Sequence, residues 1–119
     1  MTENNLKLNI STPDQEIFAG DIASANIPGS EGEFTILPGH ISFITTLQTG
    51  IITVEFGGKK QFILHDGFAS VSKNEAFIIS ENCFEINHNI KQTLRDLFAK
   101  TEGQNRKVFQ DMIEFLDKI

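Results

Sequence analysis

Three histidines, one cysteine and a neighbouring histidine–aspartate pair are the side chains here whose types could do chemistry. His40, His65 and His88 stand far apart with no ligand spacing between them, so a zinc site would have to be assembled by the fold alone. His65 beside Asp66 at a strand end reads as a hydrogen-bonded loop histidine in preference to a catalytic dyad. Cys83, in Glu81-Asn82-Cys83-Phe84-Glu85, has no adjacent cation or histidine to favour a thiolate, and as the single cysteine it excludes an internal disulfide. Nucleophile-elbow, phosphate-loop, H-E-x-x-H and C-x-x-C patterns are all absent. The chain is therefore expected to carry no catalytic, cofactor-binding or metal-binding residue. Its eleven phenylalanines, unaccompanied by Tyr or Trp, are expected in the core.

One segment carries more information: Pro28-Gly29-Ser30-Glu31-Gly32-Glu33-Phe34-Thr35-Ile36-Leu37-Pro38-Gly39-His40. Each of its two Pro-Gly pairs favours a tight turn, because proline presets φ at one central position and glycine supplies the positive φ of the next. The expectation is two turns flanking one short strand.

The elements around these residues follow from pattern. With 119 residues the chain supports one core plus an appendage. Apolar content of 39% and charged content of 22% are those of a globular domain. No apolar run reaches the length of a membrane span, and the polar, acidic opening Met1–Asn5 is unlike a secretory leader, so a cytosolic address is expected. Residues 1–87 hold eleven acids against Lys7, Lys59, Lys60 and Lys73, whereas residues 88–119 hold six bases against five acids. An acidic body repels phosphate, which argues against nucleic acid and allows a basic protein partner.

Breakers concentrate early: all three prolines and eight of the nine glycines precede residue 68. Short apolar alternations recur between them, at Leu6, Leu8, Ile10; Ala23, Ala25, Ile27; Phe34, Ile36; Phe43; Ile52, Val54, Phe56; Phe62, Leu64; Phe68, Val71; Phe77, Ile79; and Phe84, Ile86. Gly57-Gly58 marks a hairpin, and Lys73-Asn74-Glu75 a second turn. So many short strands in this length predict a sandwich or flattened barrel. The period then changes: Ile90, Leu94, Leu97, Phe98 and Val108, Met112, Phe115, Leu116, Ile119 each make one helical stripe, with Asn89 as N-cap and a break around Gly103. Helices this short are marginal alone and need a surface to lie on. The predicted organisation is a β-sandwich of about ten strands over residues 1–87 and a helical hairpin over 88–119.

On these residues the chain resembles the epsilon subunit of F-type ATP synthase, called delta in mitochondria. The resemblance runs through Thr12-Pro13, Phe18-x-Gly20, the Pro28 to His40 segment, Leu47-x-x-Gly50 and Gly67-Phe68. It implies a ten-stranded sandwich with a two-helix tail, in a non-catalytic rotor subunit that binds the gamma subunit and the loops of the c-ring and couples proton flow to ATP synthesis. By position, Glu31, Gly32 and Glu33 would face the c-ring, and Thr12, His40 and Thr45 would face gamma. Lys91, Arg95, Arg106 and Lys107 would touch acidic loops of the beta subunits, and the C-terminal helices would meet alpha and beta and regulate ATP hydrolysis weakly. The place implied is peripheral, on the cytoplasmic side of a bacterial inner membrane or the matrix side of an organellar one. Ser42 and Asp66 depart from the family's usual proline and glycine. The tail reads Ile90-Lys91-Gln92-Thr93-Leu94-Arg95-Asp96 in place of the I-D-x-x-R-A motif with which some relatives bind ATP, so no ATP site is expected. A carbohydrate-binding sandwich, or an enzyme built on His65, Asp66 or Cys83, are the alternatives.

Overall fold

A computed structural model describes residues 5–39 and 42–119. Ten strands and two helices follow in chain order: β1 Leu6–Ser11, β2 Glu16–Ile22, β3 Ser24–Gly29, β4 Gly32–Ile36, β5 Phe43–Leu47, β6 Gly50–Glu55, β7 Lys59–Leu64, β8 Gly67–Val71, β9 Glu75–Ile79, β10 Cys83–Glu85, α1 Ile90–Lys100 and α2 Gln104–Asp117. The predicted mostly-β body with an α-helical tail is what the chain forms.

The strands run in the order β10-β7-β6-β3-β5-β8-β9-β1-β2, with β4 paired to β3. β1 lies parallel to β9, whereas β1–β2, β3–β4, β6–β7 and β8–β9 are antiparallel hairpins. β3 makes the corner: Ser24 to Asn26 pair with β6, and Gly29 pairs with Leu47 of β5. One sheet wrapped in this way buries alternate residues of every strand inside, where Leu6, Leu8, Ile10, Ile27, Ile36, Ile52, Val54, Phe62 and Ile78 form a continuous core.

A second core lies outside the first. Ile63 is fully buried although its neighbours Phe62 and Leu64 point inward, because the outer face of β7 is roofed by Ile90, Leu94, Phe109, Met112 and Leu116 of the helical hairpin. The unbroken apolar run Phe62-Ile63-Leu64 is the pattern of a strand covered on both faces. This is the surface that the short helices need. Asn89 occupies the N-cap position but makes no side-chain capping bond; Asn87 Oδ1 instead accepts the Asn89 N–H at 2.9 Å. Phe109 joins the roof, whereas Ile119 lies beyond α2 and is exposed, so the apolar stripe is shifted from the predicted one.

One turn and one strand expectation need correction. Pro28-Gly29 does not turn; it ends β3, opposite Glu33 and Gly32. The turn is Ser30-Glu31, and the positive φ falls on Gly32 at 130°. Phe56 lies past β6 in the β6–β7 connection and is exposed, so it is not the third inward residue of that strand.

Candidate functional site: an apolar face on the outer sheet

Strands β5, β8, β9 and β1 lie side by side, and their register sets two rows across the outer surface. One row is Thr46, Phe68, Ile79 and Ser11; the next is Ile44, Ser70, Phe77 and Asn9. Side chains alternate strictly, so Ala69, Val71, Ala76 and Ile78 turn inward and the larger apolar residues turn out. Ile44 is 77% exposed, Phe68 58%, Ile79 55% and Phe77 46%. The expectation that all phenylalanines are core is thus overturned at Phe56, Phe68 and Phe77. Four large apolar side chains grouped on the outer sheet surface, with Thr, Ser and Asn between them, are costly to leave in water and form the kind of patch found at binding surfaces.

The loop beneath this face is tightly built. At Gly67 a Cβ would collide with the main-chain carbonyl oxygen of Ile79, so only glycine lets β8 start so close to the end of β9. Asp66, before it, has φ 57°, the left-handed region that glycine adopts freely and aspartate tolerates. The buried Ser80 hydroxyl contacts the Asp66 carbonyl at 2.6 Å and accepts the Asn82 N–H at 3.2 Å, tying the two loops together.

Of the residues expected to face gamma, Thr12 follows Ser11, the cross-strand partner of Ile79, and its hydroxyl is 3.3 Å from the Gln15 carbonyl. Thr45 sits on β5 between the outward Ile44 and Thr46, opposite Ala69, with its own side chain half-buried on the inner side. Thr12 thus lies just past β1 beside the apolar face, whereas the Thr45 side chain points to the opposite side of its strand. His40 lies outside the described residues. Glu31, Gly32 and Glu33 are all exposed at the tip of the β3–β4 hairpin, and Ser30 there is bonded through its hydroxyl to Thr46 at 2.9 Å.

The candidate chemical groups separate. His65 and Asp66 share a cleft, but the Nε2 of His65 turns to Asp111 of α2 at 3.3 Å, linking body to hairpin. Although burial acts in the opposite direction, hydrogen bonds and charge from Lys107 and His65 hold the Asp111 carboxyl below its usual value. Burial pushes the Cys83 thiol up to about 12. At pH 8 Cys83 is therefore protonated as well as enclosed, and alkylation by iodoacetamide should be at least about a hundredfold slower than for an exposed thiol of ordinary pKa. Unfolding in guanidinium should restore the rate; rapid labelling of the native chain would contradict this assignment. Of Lys91, Arg95, Arg106 and Lys107, three are engaged inside the hairpin: Lys91 with Asp117 at 3.2 Å, Lys107 with Asp111 at 3.1 Å, and Arg106 over the Phe98 ring at 4.1 Å.

The profile of the ATP synthase, Delta/Epsilon chain, beta-sandwich domain matches residues 5–86. The ATP synthase epsilon chain of a Nitratiruptor species is 41% identical over 113 residues, spanning 93% of this chain and 84% of that one. That of Campylobacter curvus is 32% identical over 111 residues, spanning 92% and 83%. Among solved structures, a chain of the Euglena gracilis mitochondrial ATP synthase (OSCP/F1/c-ring, rotational state 1) superposes with TM-score 0.73 at 24% identity, covering 97% of this chain and 81% of that one. A chain of the Tetrahymena thermophila mitochondrial ATP synthase central stalk and c-ring gives 0.66 at 14% identity, covering 99% and 98%. These two show the shared fold. With a sandwich of this topology matched along its whole length and a relative 41% identical across nearly the entire chain, the protein belongs to the ATP synthase delta/epsilon chain family.

Proposed function

We propose that the chain is the non-catalytic central-stalk subunit of an F-type ATP synthase, binding gamma through the β5-β8-β9-β1 face and meeting the c-ring loops through the β3–β4 hairpin. The exposed group Ile44, Phe68, Phe77 and Ile79 carries this reading, because it is apolar, contiguous and built on a rigid sheet. Thr12, next to Ser11 at the end of β1, would border that interface. Glu31 and Glu33, exposed beside Gly32 at a hairpin tip, offer carboxylates to basic c-ring loops. Phe68 and Phe77 lack the hydroxyl or indole N–H with which aromatic side chains help bind sugars, which favours a protein over a carbohydrate ligand. Coupling of proton flow to ATP synthesis then follows from joining gamma to the c-ring as one turning body, with no bond chemistry in this subunit. Such a subunit would sit peripherally on the cytoplasmic side of a bacterial inner membrane. Since Lys91, Arg106 and Lys107 are occupied within the hairpin, regulation of ATP hydrolysis through alpha and beta would be weak.

Co-expression with the cognate gamma subunit tests the reading. A stable one-to-one complex on size-exclusion chromatography is the expected result, and two separately eluting proteins would overturn it.

A further inference from the structure

Phe68 and Ile79 belong to more than the sheet face. They also line a cleft of about 430 Å³ whose opposite wall is α2, through Asn105 and Val108. Pro13 lines the same cleft, as do the exposed Asp66 and Glu81. Helix α2 is held there from two sides: Met112 and Leu116 pack into the cluster that contains Ile63, and Asp111, one turn after Val108, reaches His65. The wall is thus an ordered part of the surface.

Resting on the reading that the β5-β8-β9-β1 face binds gamma, we propose that gamma also fills this cleft. An apolar side chain of gamma packs against Phe68, Ile79 and Val108, and an adjacent Lys or Arg reaches Asp66 and Glu81. The docked hairpin is then part of the gamma-binding surface. Continuity selects this occupant, since the same two side chains form the face and the cleft floor, and a partner covering one spans the mouth of the other. Charge selects it as well. Among the described residues Glu81 has no ion pair, the exposed Asp66 carboxylate meets only the His65 ring as a basic neighbour, at 3.8 Å, and residues 1–87 as a whole are acidic. A surface made from both body and hairpin has a consequence that a sandwich-only interface lacks: gamma favours the docked hairpin, and a displaced hairpin weakens gamma by the same factor.

The test titrates purified gamma against the 119-residue chain and four variants, each first checked by thermal melting. Asn105→Arg and Glu81→Lys place positive charge on opposite walls of the cleft. Phe68→Asp disables the shared floor, and Gln110→Arg alters an exposed α2 position outside the cleft. The first two should each weaken affinity about tenfold, Phe68→Asp by far more, and Gln110→Arg not at all. Amides of residues 105–112 should also exchange more slowly in the complex. Wild-type affinity in Phe68→Asp would overturn the face reading and this proposal with it. Loss in Phe68→Asp together with wild-type affinity in Asn105→Arg and Glu81→Lys, and no protection of α2, would overturn the cleft proposal alone. If Asn105→Arg disturbs the helix, the loop variant Glu81→Lys decides the matter with the exchange data.

Discussion

Phe68→Asp is expected to weaken gamma binding by at least about a hundredfold while the free chain melts within a few degrees of wild type. The side chain stands at the middle of its row, between Thr46 and Ile79, on the outer side of β8. Central aromatic anchors typically cost about 2–4 kcal/mol when truncated, and a buried unpaired carboxylate adds to that loss. The core does not notice the change, because Phe68 is more than half exposed and the inward positions of its strand are Ala69 and Val71. Aspartate fits a strand poorly, at a cost of up to about 1 kcal/mol, which limits the shift in melting. Lys59→Gln, exposed at the start of β7 and off this face, serves as the control. Tight binding by Phe68→Asp, measured by calorimetric titration, would show that gamma uses another surface.

Why the sequence conceals this face is a matter of phase. Along Gly67-Phe68-Ala69-Ser70-Val71 and Glu75-Ala76-Phe77-Ile78-Ile79, both alternations contain apolar residues, and size alone favours Phe68, Phe77 and Ile79 as the inner set. Pairing decides otherwise. Leu47 opposite Gly67 and Val71 opposite Ala76 set a register in which the small residues face inward, and a slip of one position would exchange the two faces. Ser70 was the available signal: it shares its face with Phe68, so the outward set contains the polar residue that open surfaces tolerate. The sandwich and the hairpin were more legible, because the change of period after residue 88 does not depend on register. The Pro28-Gly29 turn was misplaced for a local reason. Pro28 can pair through its carbonyl, so the pair extends β3 and leaves the positive φ to Gly32.

Ile63→Asp should release the hairpin and spare the sandwich. Ile63 belongs to the outer cluster alone and is fully buried at its centre, where the apolar stripes of both helices meet the body together with Ile51, Phe84 and Ile86. A carboxylate there has no cation within the cluster to meet it, and burying it unpaired costs several kcal/mol. Undocking is the cheaper outcome. Helices of 11 and 14 residues do not persist in water by themselves, so release means unfolding of α1 and α2 and loss of most of the 222 nm helical signal. The inner core is untouched, since Phe62 and Leu64 on either side still point inward, and a cooperative melt of the β-sheet should survive with fast exchange confined to residues 90–117. The neighbouring substitution Phe62→Ala supplies the contrast. It opens a cavity in the inner core worth about 3–5 kcal/mol and should lower the stability of the whole molecule while the hairpin stays docked at low temperature. Two adjacent residues on opposite faces of one strand thus separate the two cores. If both variants lose sheet and helix in a single transition of equal midpoint, hairpin and sandwich form one cooperative unit, and the partner-linked docking argued for the cleft would have to act on the whole fold.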